Sequence, residues 1–300
     1  MSAVLIQQLT YLLGTRKRLY RPLQWRSILP IKTGIPKWAQ NVQIYKITEN
    51  SNEPVPHQIG NQKAPIPSVD RTGGSLKLMS FDLMYQIWDE DLTRKQVTGI
   101  DVEASSVLAN QRAFEEFLDG IASIGSSKYT LPGLLNSGDV DIVSINGAWA
   151  TLITAANTND LMVAALKKIT NDIGDLLYRI RTNSKNALSG TAVVIPDAKY
   201  QLLTQNFHPT SGASFLELIQ KAFPGVRFVP WYRCNTAGAG SATRMCAGDF
   251  TEDVLSMLMV NEITDGAPLR VHAGYEVLQN VGTGGVLIEQ PQGLAYADGV

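Results

Sequence analysis

The first 48 residues contain no acidic side chain. They do carry Arg16, Lys17, Arg18, Arg21, Arg26, Lys32, Lys37 and Lys46. The whole chain has a formal charge of −1, so it projects no strong field towards nucleic acid or membrane. Cysteine is scarce. Cys234 and Cys246 are too few for a disulfide framework, suit a reducing compartment and read as small buried apolar residues. His57, His208 and His272 stand far apart. None has a second ligand at the spacing a zinc site uses, so no metal is expected. A spanning helix is excluded, because there is no run of about 18 apolar residues. The apolar stretch 2–13 precedes its basic cluster instead of following it, the wrong polarity for a secretory signal. A soluble protein made in the cytoplasm is expected.

Catalytic motifs are missing as well. There is no G-x-S-x-G elbow. Gly238-Ala-Gly240 and Gly282-Thr283-Gly284-Gly285 lack the GK[ST] ending of a phosphate loop and read as turns. Asp89-Glu90-Asp91 is a run of neighbours, which do not face one another on a helix. It reads as a solvated or salt-bridged cluster, paired with Arg94 or with the basic arm. No catalytic residue, cofactor or small-molecule substrate is expected. An enzyme built on residues 139–268 is the weaker alternative, resting on the glycine pairs alone.

What the chain does have is uneven charge and long elements. From Asp82 to Asp119 acidic residues outnumber basic ones nine to three. A basic arm and an acidic body can attract each other between copies. Residues 1–48 read as an arm, interrupted by Pro22, Pro30 and Pro36. Asn41–Thr48 alternates polar and apolar, as does Leu76–Phe81, and both read as strands. Between them Glu49–Ser75 is polar and holds Pro54, Pro56, Pro65 and Pro67. A loop of that length is unusual inside a compact domain. Two strands joined by such an excursion make a projecting hairpin, which another copy of the chain could cover.

Thr98–Gly125 has apolar residues at helical spacing, with Thr98 or Asp101 as cap and Gly125 as terminator. At 1.5 Å per residue it is a rod of roughly 36 Å. A second helix is expected from Asn159 or Asp160 to Ala187. Thr191–Pro196 reads as a buried strand, Lys199–Asn206 and Ser214–Phe223 as short helices. Val226–Trp231, Thr243–Cys246 and Val254–Asn261 read as strands. Tyr275–Val281 and Gly285–Gln290 are expected to form a hairpin about Gly282-Thr-Gly284. The mixture predicts an α+β fold. The five tryptophans, Trp25, Trp38, Trp88, Trp149 and Trp231, suit core or interface anchors.

Two motifs carry a resemblance. One is Gly133-Leu-Leu-Asn136 after the long helix. The other is Gly284-Gly-Val-Leu-Ile-Glu-Gln-Pro291 followed by Ala295-Tyr296-Ala-Asp298-Gly299-Val300. In these and in the order of its elements the chain resembles the Hong Kong 97-type major capsid proteins of tailed phages, whose fold encapsulins share. The resemblance implies an N-terminal arm at 1–40 and an extended loop hairpin at 41–81 that lies across a neighbour. It implies a peripheral domain at 82–138 and 269–300, with a spine helix about 101–124, and an axial domain at 139–268. Hexamers and pentamers would close an icosahedral shell around packaged double-stranded DNA, assembled in the host cytoplasm with possible scaffold, portal and cement partners. Inter-subunit contacts are expected at Arg16, Lys17, Arg18, Arg21, Pro54, Pro56, Lys63, Pro65, Asp89, Glu90, Asp91, Gly282, Thr283 and Gly284. With the chain starting at Met1, a separate scaffold, or none, is implied. Lys63 is the one lysine of the loop, but no partner asparagine is identifiable for a cross-link. An encapsulin-type compartment is the alternative shell.

Overall fold

The computed structural model describes residues 23–50, 68–90 and 102–300. The chain first meets the core at Leu23. Trp25–Ile28 forms one helical turn, α1, and buries Trp25 and Ile28. Ile31–Lys32 (β1) then pairs in parallel with Met257–Leu258. The expected arm is therefore part of the core from residue 23 to 32. Trp25 explains why: its ring is fully buried, and its Nε1 donates to Glu115 at 3.0 Å.

Asn41–Asn50 (β2) and Ser68–Lys77 (β3) form an antiparallel pair in unbroken register, from Asn41 opposite Lys77 to Asn50 opposite Ser68. Part of the stretch expected as loop is thus strand. Leu76–Phe81, expected as one strand, is two. Buried Leu78 separates β3 from Met79–Trp88 (β4), whose burial alternates along most of its length.

The spine helix α2 runs Val102–Ser123, about 33 Å at 1.5 Å per residue. It buries Phe114, Leu118, Ile121 and Ala122, one face at i, i+4, i+7 and i+8. Gly125 follows at φ +75°, the left-handed turn that stops it. The expected caps Thr98 and Asp101 lie outside the described residues.

A second layer follows. It comprises Asp141–Val143 (β5), Trp149–Thr154 (α3), Asn159–Asn183 (α4), Ala192–Pro196 (β6), Asp197–Gln205 (α5), Phe215–Ala222 (α6), Arg227–Trp231 (β7) and Arg244–Gly248 (β8). Thr158 caps α4 through Leu161 N. Ser214 and Glu217 make a reciprocal capping box on α6. Helix α4 ends before Ala187 because Lys185 and Asn186 take positive φ. The all-buried β6 lies between β8 and β7 in a sheet ordered β5-β12-β8-β6-β7, where β12 is Leu294–Asp298.

The other sheet holds Leu255–Asp265 (β9), Leu269–Val271 (β10) and Gly274–Ile288 (β11), together with β1 and β4. Strand β11 pairs antiparallel with β4 over Gly274–Thr283 and with β9 over Gln279–Ile288. The expected hairpin about Gly282 is therefore one continuous strand. Its register against β9 shifts three times between Asn280 and Gly285. These glycines make a bulge. A Cβ on Gly282 would lie 2.5 Å from Asn261 Oδ1, and one on Gly285 2.5 Å from the Pro132 carbonyl.

Sheet membership differs from the expected boundaries. Strand β9, assigned to the axial segment, pairs in the sheet of the spine helix. Strand β12, assigned to the peripheral segment, pairs in the other sheet. Each crosses because its ladder partner lies there. One buried cluster joins the layers, running from Trp25 and Leu118 through Leu134 to Cys246 and Tyr296.

Candidate assembly surfaces

The two sequence motifs meet at one joint. Gly125 and Gly133 pack backbone against backbone, with no room for a Cβ on either. Val286 N donates to the Pro132 carbonyl at 2.9 Å. The Tyr296 hydroxyl donates to the Leu134 carbonyl. Arg244 Nη1 donates to the Leu135 carbonyl at 2.5 Å, while Nε and Nη2 hold Asp298 at 2.6 and 2.7 Å. The Arg244 guanidinium also stacks 4.7 Å from the Tyr296 ring. Its hydrogen bonds hold the Asp298 carboxyl below the usual carboxylate range. Segment 133–136 is thus pinned between the spine helix, β11 and the C-terminal strand.

Two buried carboxylates brace the body further, Asp119 between the layers and Asp172 within the second. Asp119 on α2 accepts from Trp231 Nε1 at 3.0 Å, Tyr232 Oη at 3.0 Å and Arg233 Nε at 2.8 Å. Asp172 on α4 accepts from Asn146 and from Trp149 Nε1 at 2.9 Å. Cys234 and Cys246 are buried, as the sequence predicts, and burial pushes the Cys246 thiol up to about 12. Neither is a reactive thiolate.

Against this braced body three surfaces stand open. The β2–β3 hairpin is a sheet of its own, joined to no other strand among the described residues. Trp38 beside its root is 84% exposed, and Tyr45 lies over Gly73 with 64% exposure. A cleft of about 480 Å³ runs under the root, between Ile44 and Leu76 on one side and Pro132, Val286 and Ile288 on the other. The outer face of the first sheet presents Trp88, Met84 and Leu278, the last two directly opposite in register.

The expected contact residues fall into three groups. Arg16, Lys17, Arg18, Arg21, Pro54, Pro56, Lys63, Pro65 and Asp91 lie outside the described residues, as do Arg94 and His57. Asp89 follows β4 and approaches Arg270 at 3.9 Å; its expected partner Arg94 lies outside the described residues. Glu90 is exposed beside it. Gly282, Thr283 and Gly284 are buried within the subunit. Thr283 Oγ1 donates to the Leu258 carbonyl at 2.9 Å. Their side of the bulge offers no surface to a neighbour, which corrects their assignment as contacts. Of the exposed apolar residues of β4 the sequence singles out Trp88 alone; Met84 carries no signal there, because Leu83, Met84 and Tyr85 place apolar side chains on both faces of the strand and blur the alternation.

Surfaces of this kind, on a body this braced, suit a subunit that packs against copies of itself. The sequence model of the major capsid protein family matches residues 58–300. The chain belongs to the major capsid protein family. Its fold is that of the capsid of Myoviridae phage XM1, at TM-score 0.80 and 15% identity over 98% of both chains. The capsid of the native GTA particle aligns at TM-score 0.64 and 12% identity, over 95% of this chain and 93% of that one. A virus-like particle from Pyrococcus furiosus aligns at 0.54 and 14%, over 90% of each chain. No curated relative matches in sequence. This major capsid protein therefore has the Hong Kong 97-type fold.

Proposed function

We propose that this capsid protein forms hexamers and pentamers that close an icosahedral phage head around double-stranded DNA. One observation carries the reading. The β2–β3 ladder is ten residues long on each strand and, among the described residues, forms a sheet by itself. An isolated two-stranded ribbon is marginal in water and needs a further surface to pack on. A neighbouring copy supplies that surface, and the ribbon spans the contact. The acidic body and basic N-terminal segment favour the same contact electrostatically. DNA is held by enclosure, without base reading. Assembly takes place in the bacterial cytoplasm, with scaffold, portal or cement proteins as further partners.

Negative-stain microscopy of the expressed protein tests this reading. Closed shells or free capsomers are the expected result; a chain that stays monomeric with and without scaffold overturns it. Small shells that load a cargo protein instead of DNA would assign it to the encapsulin-type alternative. Intact mass of denatured particles reports on Lys63: monomer mass alone rules out a covalent cross-link.

A further inference from the structure

Phe207 is 57% exposed, yet its loop is closely tied. An antiparallel bridge joins Phe207 to Ser214. Phe215 N donates to the Asn206 carbonyl, His208 N to Ala213 and Gly212 N to His208, each at 2.9 Å. His208 Nδ1 accepts from Thr210 N and Ser211 N at 3.3 Å. A phenyl ring held on such a turn loses little freedom on docking.

The opposite end of α6 forms a cleft. Ala222 and Phe223 face α4 across a space of about 380 Å³. Leu177, Phe223 and Val226 line it with apolar surface, and Gly174 adds backbone to the lining. Tyr178 and Arg181 also line it, and both are exposed. A guanidinium there can cover the face of an inserted ring.

An exposed apolar ring and a partly apolar cleft thus belong to one chain. Ser214 caps the eight-residue α6 and Ala222 is its last residue, so they stand about 12 Å apart along the helix. The bridge to Ser214 keeps Phe207 at its own end, and a copy cannot fill its own cleft. We infer that Phe207 of one copy inserts into the Phe223 cleft of the next. This rests on the shell reading and adds the residues of one contact. Because ring and cleft occupy different places, the contact is head to tail, and repetition closes it into a ring. A self-complementary face would stop at two copies.

Cysteine pairing tests the direction of the contact. In the double variant F207C/A222C, oxidation of assembled protein should give a ladder of covalent oligomers on a non-reducing gel, and neither single variant should. Cys234 and Cys246 are buried and stay out of the reaction. In parallel, F207E should keep its far-ultraviolet circular dichroism and raise the concentration needed for assembly by roughly tenfold or more. Wild-type shells together with an unladdered double variant and normal assembly of F207E overturn the contact alone. A covalent dimer without higher species overturns its head-to-tail sense. A wild type that never assembles overturns the shell reading and this contact with it.

Discussion

Arg244 grips both oxygens of Asp298, at 2.6 and 2.7 Å, while its third nitrogen reaches the Leu135 carbonyl. One guanidinium thus ties the end of β12 to the segment that follows the spine helix. The Asp298 carboxyl is depressed, chiefly by the Arg244 hydrogen bonds. A depressed carboxylate contributes stability above its unfolded pKa, about 3.9, and loses it as pH falls through the folded value. The urea midpoint of the free subunit should therefore fall on acidification below about pH 4. In D298N that share of the fall should be missing, because Asn has no proton to gain. An unchanged acid profile in D298N would show that the clamp contributes nothing.

Asp119 is a buried carboxylate with three donors. D119A removes the acceptor that Trp231 Nε1, Tyr232 Oη and Arg233 Nε share. Breaking a buried pair from one side costs about 3–5 kcal/mol. Thermal unfolding of the subunit should show a large loss. D119N, which keeps an acceptor oxygen of similar shape, should recover part of it.

Gly285 and Gly225 both take positive φ, at +79° and +89°. A Cβ on Gly285 would meet the Pro132 carbonyl, whereas Gly225 faces open space. G285A should cost roughly 2–3 kcal/mol from strain and contact together. G225A should cost about 1 kcal/mol from backbone strain alone. Urea denaturation of the two variants separates the terms, and equal losses would remove the role assigned to the bulge.

Deleting Pro54–Pro67 should leave a folded subunit that cannot close shells. The buried core and both sheets of the body lie outside that segment, so the melting temperature should barely move. Normal particles on a micrograph would show that the hairpin does not span a contact.

Local pattern made much of this legible. The buried face of α4, from Ile169 through Ile173 to Ile180, follows helical spacing in the sequence. The Ser214–Glu217 box marks the start of α6, and Gly125 marks the end of the spine. The hairpin strands show in the alternation of Val42 and Ile44. The candidate contacts were less legible. Gly282, Thr283 and Gly284 look like a surface turn, because a glycine cluster suggests a turn whether the chain reverses or bulges. Phe207 has no periodic neighbour to announce that it points outward.

By itself, then, the sequence determined those elements whose cause lies within a few residues: helix faces, caps, proline interruptions, the charge asymmetry and the two motifs. Only the tertiary structure decided what depends on partners far along the chain. Strand β4 finds β11 across a separation such as Gln86 to Glu276, and β9 and β12 each join the sheet on the other side of the expected boundary. The same holds for Trp25, which is buried because Glu115 and the spine helix wait for it. Helix bonds close within four residues, so their pattern is written locally. A strand's bonds close wherever a complementary edge is found, and the local alternation does not say where.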